Sequence, residues 1–116
     1  MLTPFGKSLR IFRLNRGELL KDMAVKLDVT PAYLSSVENG KREPTQELMN
    51  RIYQNYDLGD DERDELEAAM AKTVKIIRLQ LNDEDDSELG LLFARKLNSL
   101  TDTQKISIAE ILNRIN

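Results

Sequence analysis

Apolar positions recur at helical spacing through the first half of the chain. Phe5, Leu9 and Phe12 mark one face of a first helix, with Lys7, Arg10, Arg13 and Arg16 on its wetter side. Gly17 ends it, and Leu19, Leu20, Met23, Ala24 and Leu27 form a second stripe. Asp28-Val29-Thr30 interrupts that stripe. Thr30-Pro31 then starts a third helix: the hydroxyl caps it, and proline stands where a missing N–H costs nothing. This helix is short, running from Pro31 to about Glu38, with Leu34 and Val37 inward and Asn39-Gly40 as its stop. Lys41-Arg42-Glu43-Pro44 reads as a polar loop, and Thr45 caps a fourth helix with Leu48, Met49, Ile52, Tyr53 and Tyr56 inward.

The second half begins at Leu58-Gly59-Asp60. Asp60, Asp61, Glu62, Asp64, Glu65 and Glu67 load the start of a helix with acid, which suits the positive end of its dipole. Leu66, Ala69, Met70 and Thr73 face inward. The period then changes. Ile77-Arg78-Leu79-Gln80-Leu81 alternates apolar and polar residues, preceded by Val74-Lys75-Ile76, and the β-branched side chains among them predict a strand over about 74–81. After an acidic turn, Leu89, Leu92, Phe93, Lys96 and Leu97 predict a helix. Thr101-Asp102-Thr103-Gln104 matches a capping box, and Ile108, Ile111, Leu112 and Ile115 complete a last amphipathic helix.

Composition narrows the chemistry. The 116-residue chain has neither cysteine nor histidine. Disulfides, thiolate metal sites, cysteine nucleophiles and histidine-dependent triads are therefore excluded, and no metal or cofactor site is expected. With the commonest general base also missing, the chain reads as a binding protein and not an enzyme. The run Asp83-Glu84-Asp85-Asp86 lacks the glycine and spaced ligands of a calcium loop and reads as a solvated helix start. No signal peptide and no membrane span are apparent, which points to a cytoplasmic protein without membrane partners.

The net charge of −3 is unevenly distributed. Residues 1–56 hold nine basic and six acidic side chains, a net of +3, whereas residues 57–116 hold eight and fourteen, a net of −6. Two surfaces with different partners are one explanation, and chance scatter on a solvated surface is the other.

Two short helices joined by a tight turn, the second opening on Thr-Pro, suit a helix-turn-helix, although the geometry alone is not specific. The residues from Gly17 to Pro44 sharpen this. Ala24 at the helix crossing, Val29 in the turn, the Leu34/Val37 pair and the run Val37-Glu38-Asn39-Gly40-Lys41-Arg42-Glu43-Pro44 closely resemble the motif of the Xre, or lambda-repressor-like, DNA-binding family. The resemblance covers about residues 5–58. It implies an all-α bundle whose third helix lies in the major groove of double-stranded DNA. On that reading Thr30, Pro31, Ala32, Tyr33, Ser35 and Ser36 meet bases or phosphates. Asn39, Lys41 and Arg42 grip phosphates, with Arg10, Arg13 and Lys21 as further candidates. Tyr33 has packing as an equal alternative, Glu38 reads as a structural salt-bridge or helix-end residue, and Tyr53 and Tyr56 read as core or scaffold. Three departures stand out: Leu19-Leu20 replaces the frequent Thr-Gln whose glutamine touches phosphate, Asp28 replaces the frequent turn glycine, and the recognition face is short of glutamine and arginine.

The sequence therefore predicts two parts: a DNA-binding domain at 1–58 and an acidic extension at 59–116 holding a helix, the strand and two further helices. A lone strand needs a partner, and its copy in a second subunit is the simplest. Val74, Ile76, Ile77, Leu79 and Leu81 are thus candidate dimerisation residues, with a foreign strand or a helical conformation as alternatives. Function follows as a homodimeric repressor on a palindromic operator. The alternative, by analogy with HigA-type antitoxins, is a protein that neutralises a small basic toxin through its acidic half and regulates its own operon.

Overall fold

The computed structural model describes all 116 residues and is entirely helical. Seven α-helices follow one another: α1 (Pro4–Asn15), α2 (Leu20–Leu27), α3 (Pro31–Glu38), α4 (Gln46–Asn55), α5 (Asp60–Thr73), α6 (Glu84–Lys96) and α7 (Asp102–Asn113), with a single 3-10 turn at Leu97–Ser99. The chain forms two compact units, Met1–Ile77 and Arg78–Asn116. The helix predicted to open the extension, α5, thus belongs with the first unit.

The first unit is built around the apolar face of α1. Phe5, Leu9 and Phe12 meet Met23, Ala24 and Leu27 of α2, Leu34 and Val37 of α3, and Leu48, Met49 and Ile52 of α4 in one buried cluster, joined by Tyr56 and by Leu66 of α5. Hydroxyl caps start three of these helices: Thr3, Thr30 and Thr45 accept the N–H of Gly6, Tyr33 and Leu48. Each satisfies an amide that the helix itself leaves unpaired.

Polar contacts join α5 to α1. The Thr73 hydroxyl accepts the Phe5 N–H at 3.0 Å and donates to the Ala69 carbonyl at 2.8 Å. At the other end of α1, the Arg16 guanidinium lies 3.6 Å above the Phe12 ring and donates to both carboxylate oxygens of Glu62, at 2.7 and 3.0 Å. Phe12 meets Tyr56 edge to face, with ring centroids 4.9 Å apart. Hydrogen bonding from Arg16 holds the Glu62 carboxyl below its ordinary range of about 4.5. A carboxyl depressed in the folded state stabilises the fold above its unfolded value, and that contribution is lost as pH falls through the folded value. Stability is therefore expected to decline as pH drops below about 4.5, and Glu62→Gln should flatten the decline. Urea titrations at successive pH values test this.

The strand predicted over 74–81 does not form. Val74 closes α5 in an extended conformation (φ −69°, ψ 130°), and residues 75–82 continue without regular structure. Alternation and β-branching favour an extended backbone, but a strand also needs a neighbour to complete its ladder. No other extended segment in this helical chain supplies one.

The second unit begins on caps legible in the sequence. The Asp83 carboxylate accepts the Asp86 N–H at 2.8 Å, so the acidic run is the start of α6. Thr101 and Gln104 cap each other reciprocally at the start of α7. No residue of this unit is buried.

Candidate nucleic-acid interface

Three interactions hold α3 in place while leaving its outer side free. The first is apolar: Leu34 and Val37 are fully buried, and Ala24 of α2 is buried among the same core residues. A larger side chain at Ala24 would separate the two helices. The second is the turn. Asp28 adopts the left-handed conformation (φ 55°, ψ 46°), which aspartate tolerates better than most residues. Arg51 of α4 reaches across to donate to the Leu27 and Asp28 carbonyls at 3.1 and 3.0 Å, fixing the end of α2.

The third interaction anchors the far end of α3. Glu38 is 4% exposed and pairs through both carboxylate oxygens with Arg13 of α1, itself 6% exposed. The same guanidinium contacts the Met23 sulfur at 3.6 Å. The Glu38 carbonyl accepts the Thr3 N–H at 2.9 Å and the Thr3 hydroxyl at 3.3 Å. Gly6 lies against this carbonyl so closely that a β-carbon there would stand 2.2 Å from its oxygen.

Outward from α3 stand Pro31 and Ala32, exposed, and Ser35, Ser36 and Asn39, half-buried, whereas the half-buried Tyr33 packs against the core. Beyond them the chain turns at Gly40 (φ 78°), where the Lys41 and Arg42 amides both donate to the Ser36 carbonyl. Both basic side chains are exposed, and the Arg42 guanidinium lies 5.7 Å from the Tyr33 ring centre. The result is a short helix with small polar residues facing out, flanked by two cations.

The sequence model of a family described as a helix-turn-helix domain matches residues 4–66. The chain belongs to this helix-turn-helix domain family. No curated protein and no solved structure matches it. The matched span covers α1–α4 and the first half of α5, in keeping with the packing of α5 in the first unit. A helix-turn-helix domain points to a DNA-binding regulator, with α2 and α3 as the motif and α3 as the recognition helix. No helix is long and apolar enough to cross a membrane.

The helix-turn-helix geometry brings together most of the predicted contact residues. Thr30, Pro31, Ala32, Tyr33, Ser35, Ser36, Asn39, Lys41 and Arg42 lie on α3 or immediately beside it. Arg10 and Lys21 are exposed on α1 and in the first turn of α2. Arg13 is different. Its position on the first helix suggested a wet face, but it is buried against Glu38 and has no reach to a phosphate. Burial without a partner would be costly for either charge, and each is the other's partner. Glu38 is accordingly the ion-pair residue that the sequence suggested.

Two assigned groups are partly engaged inside the domain. The Ser36 hydroxyl donates to the Tyr33 carbonyl at 2.7 Å, which leaves its oxygen to accept. The Asn39 amide donates to the Ser35 carbonyl at 2.9 Å, which leaves its carbonyl oxygen to accept. A free acceptor suits the amino groups of adenine or cytosine better than a phosphate. At the start of α2, the Asp22 carboxylate accepts the Leu19 N–H at 2.8 Å. An amide available for phosphate in the absence of that carboxylate is thus satisfied internally, and Leu19 offers only apolar surface.

Sequence reasoning missed Arg51 and Gly6. Arg51 counted only as one of nine basic residues, although it positions the turn. The signal for Gly6 was a glycine inside an otherwise helical stretch, a costly choice unless something approaches closely. Tyr56 is buried and donates to Glu18 at 2.7 Å, and Glu18 also pairs with Lys26 at 2.5 Å. Burial opposes the charge on Glu18, but hydrogen bonds from Lys26 and Tyr56 outweigh it and hold the carboxyl below its ordinary range. Tyr53, half-buried and hydrogen-bonded to Glu67, is pushed up to about 12 by burial and by that carboxylate. Both tyrosines belong to the scaffold. The proposed dimerisation residues Ile76, Ile77, Leu79 and Leu81 are exposed on the irregular segment after α5, and Val74 is half-buried at its start.

Proposed function

We propose that the protein is a sequence-specific transcriptional regulator, acting as a cytoplasmic repressor that lays α3 in the major groove of a palindromic operator. The observation that carries this reading is the recognition helix itself: locked at its C-terminal end by Glu38 and Arg13, yet exposed at Pro31 and Ala32, with the Ser36 oxygen left to accept. A rigid helix with an open polar face loses little freedom on binding. Lys41, Arg42, Lys21 and Arg10 supply the phosphate contacts, and a homodimer supplies two recognition helices for half-sites about 34 Å apart.

Selection of bound duplexes from a random pool tests the reading, followed by affinity measurements across a salt series. Enrichment of a palindromic sequence is expected; no enrichment and no salt dependence would exclude DNA binding. Arg42→Ala should weaken binding to all duplexes and lower the salt slope by about 0.9, the value for one lost phosphate contact. Ser36→Ala should change preference among sequences at nearly constant slope, because it removes an acceptor facing the bases. Unchanged preference would displace Ser36 from the reading face.

The second reading is an antitoxin that neutralises a small basic partner protein, with DNA binding serving autoregulation. Its support is the exposed acid of Asp60, Asp61, Asp64, Glu65 and Glu67 on α5. Co-purification of a basic protein that Lys substitutions on α5 abolish would favour it.

A further inference from the structure

Residues 78–116 contain two helices and no buried side chain. Along α6 and its C-cap, Leu89, Leu92, Phe93 and Leu97 follow one another at helical spacing and are 68%, 45%, 43% and 42% exposed. A helix of 13 residues is marginal in water by itself and draws most of its stability from covering its apolar face. The face of α6 is uncovered.

The charges along α6 indicate what covers it. Successive residues advance by about 100° around a helix, so Asp85, Asp86 and Lys96 fall on the same side as the four apolar residues. Acid gathers at the N-terminal end, in Asp83, Glu84, Asp85, Asp86 and Glu88, and base at the C-terminal end, in Arg95 and Lys96. Such a helix, apolar in the middle and opposite in charge at its ends, complements a reversed copy of itself. A parallel copy would set acid against acid, and a partner of one sign would suit only one end.

We propose that α6 pairs antiparallel with α6 of a second copy of this chain, about a two-fold axis that crosses the apolar face at the level of Leu91, whose own side chain lies on the opposite side. In this register Leu89 faces Phe93 of the second copy, and Asp86 faces its Lys96. The contact is isologous, so each pairing occurs twice. The assignment deepens the dimer reading above by giving it an interface. It takes the place of the 74–81 strand and does not depend on DNA binding.

Light scattering on the full chain at tens of micromolar tests the pairing. The expected mass is twice 13.3 kDa. Phe93→Asp should give monomer. Asp86→Lys and Lys96→Asp should each weaken the dimer at least tenfold, because each sets like charges together twice. The double variant D86K/K96D should regain the dimer, a result that loss of helix in α6 could not produce. A monomeric wild type, a Phe93→Asp dimer as tight as wild type, or a double variant no tighter than the singles would each overturn the proposal. DNA affinity is read on the same samples. A dimer without DNA binding would sink the proposed function and leave this interface standing, and a DNA-binding monomer would sink the interface and the homodimer while leaving DNA binding standing.

Discussion

Glu38→Ala is expected to destabilise the first unit by about 3–5 kcal/mol, the usual cost of removing one partner from a buried ion pair. Small domains have about 5–15 kcal/mol in total, so the loss is a large share of it. The cause is the Arg13 charge left behind. Its guanidinium is 6% exposed, and the contact remaining to it is the weak acceptor sulfur of Met23. Arg13→Ala should cost a similar amount by stranding the Glu38 carboxylate. Replacing both with apolar residues, as in Arg13→Met with Glu38→Leu, should recover most of the loss, because neither charge is then buried alone. Urea denaturation followed by circular dichroism measures all three. It also separates the two roles considered for Arg13. A phosphate ligand would leave stability intact and lower the salt slope of DNA binding by about 0.9. A structural ion pair lowers stability first, and retention of full stability in Arg13→Ala would return Arg13 to the DNA face.

Gly6→Ala should likewise destabilise the fold, by about 1–3 kcal/mol or somewhat more, as overpacking in a fixed space does. Helix propensity alone predicts the opposite, a gain of about 0.5–1 kcal/mol for alanine over glycine within a helix. The geometry decides between them. The added β-carbon would meet the Glu38 carbonyl oxygen at 2.2 Å and its carbonyl carbon and α-carbon at 2.8 Å each. These are backbone atoms, so relief requires moving the end of α3 away from α1. That movement would disturb the Thr3 and Arg13 contacts to the same residue and tilt the recognition helix. A lowered urea midpoint, with DNA affinity reduced even where the variant is fully folded, is the expected pair of results. A midpoint equal to or above wild type would show that α1 and α3 can separate at no cost.

Both predictions concern the anchoring of α3, and this is where sequence and structure divide. The helices were legible because their signals are local. Thr30-Pro31 starts α3, Asn39-Gly40 ends it, and Thr101 and Gln104 cap α7 through residues three apart. The division of α3 into inward and outward positions was legible for the same reason, since a fixed period divides the buried Leu34 and Val37 from Ser35 and Ser36. The charge division proved less informative than it looked. It came from cutting the chain after Tyr56, whereas α5, with six of the fourteen acidic residues of 57–116, packs on α1 within the first unit.

Pattern alone misled in two places. The 74–81 segment carries β-branched residues and, from Ile77, the alternation of a strand, but a strand is a relation between two segments, and the chain contains one. Arg13 carries the charge of a surface residue, but its environment depends on Glu38, 25 positions later. By itself the sequence determined the helices, the helix-turn-helix and the absence of histidine and cysteine chemistry, because each depends on residue identity and near-neighbour spacing. Only the tertiary structure decided that Arg13 is buried, that Gly6 must have no side chain, that Arg51 secures the turn and that α6 lies uncovered. Those properties depend on distances between residues far apart in the chain, which no local period records.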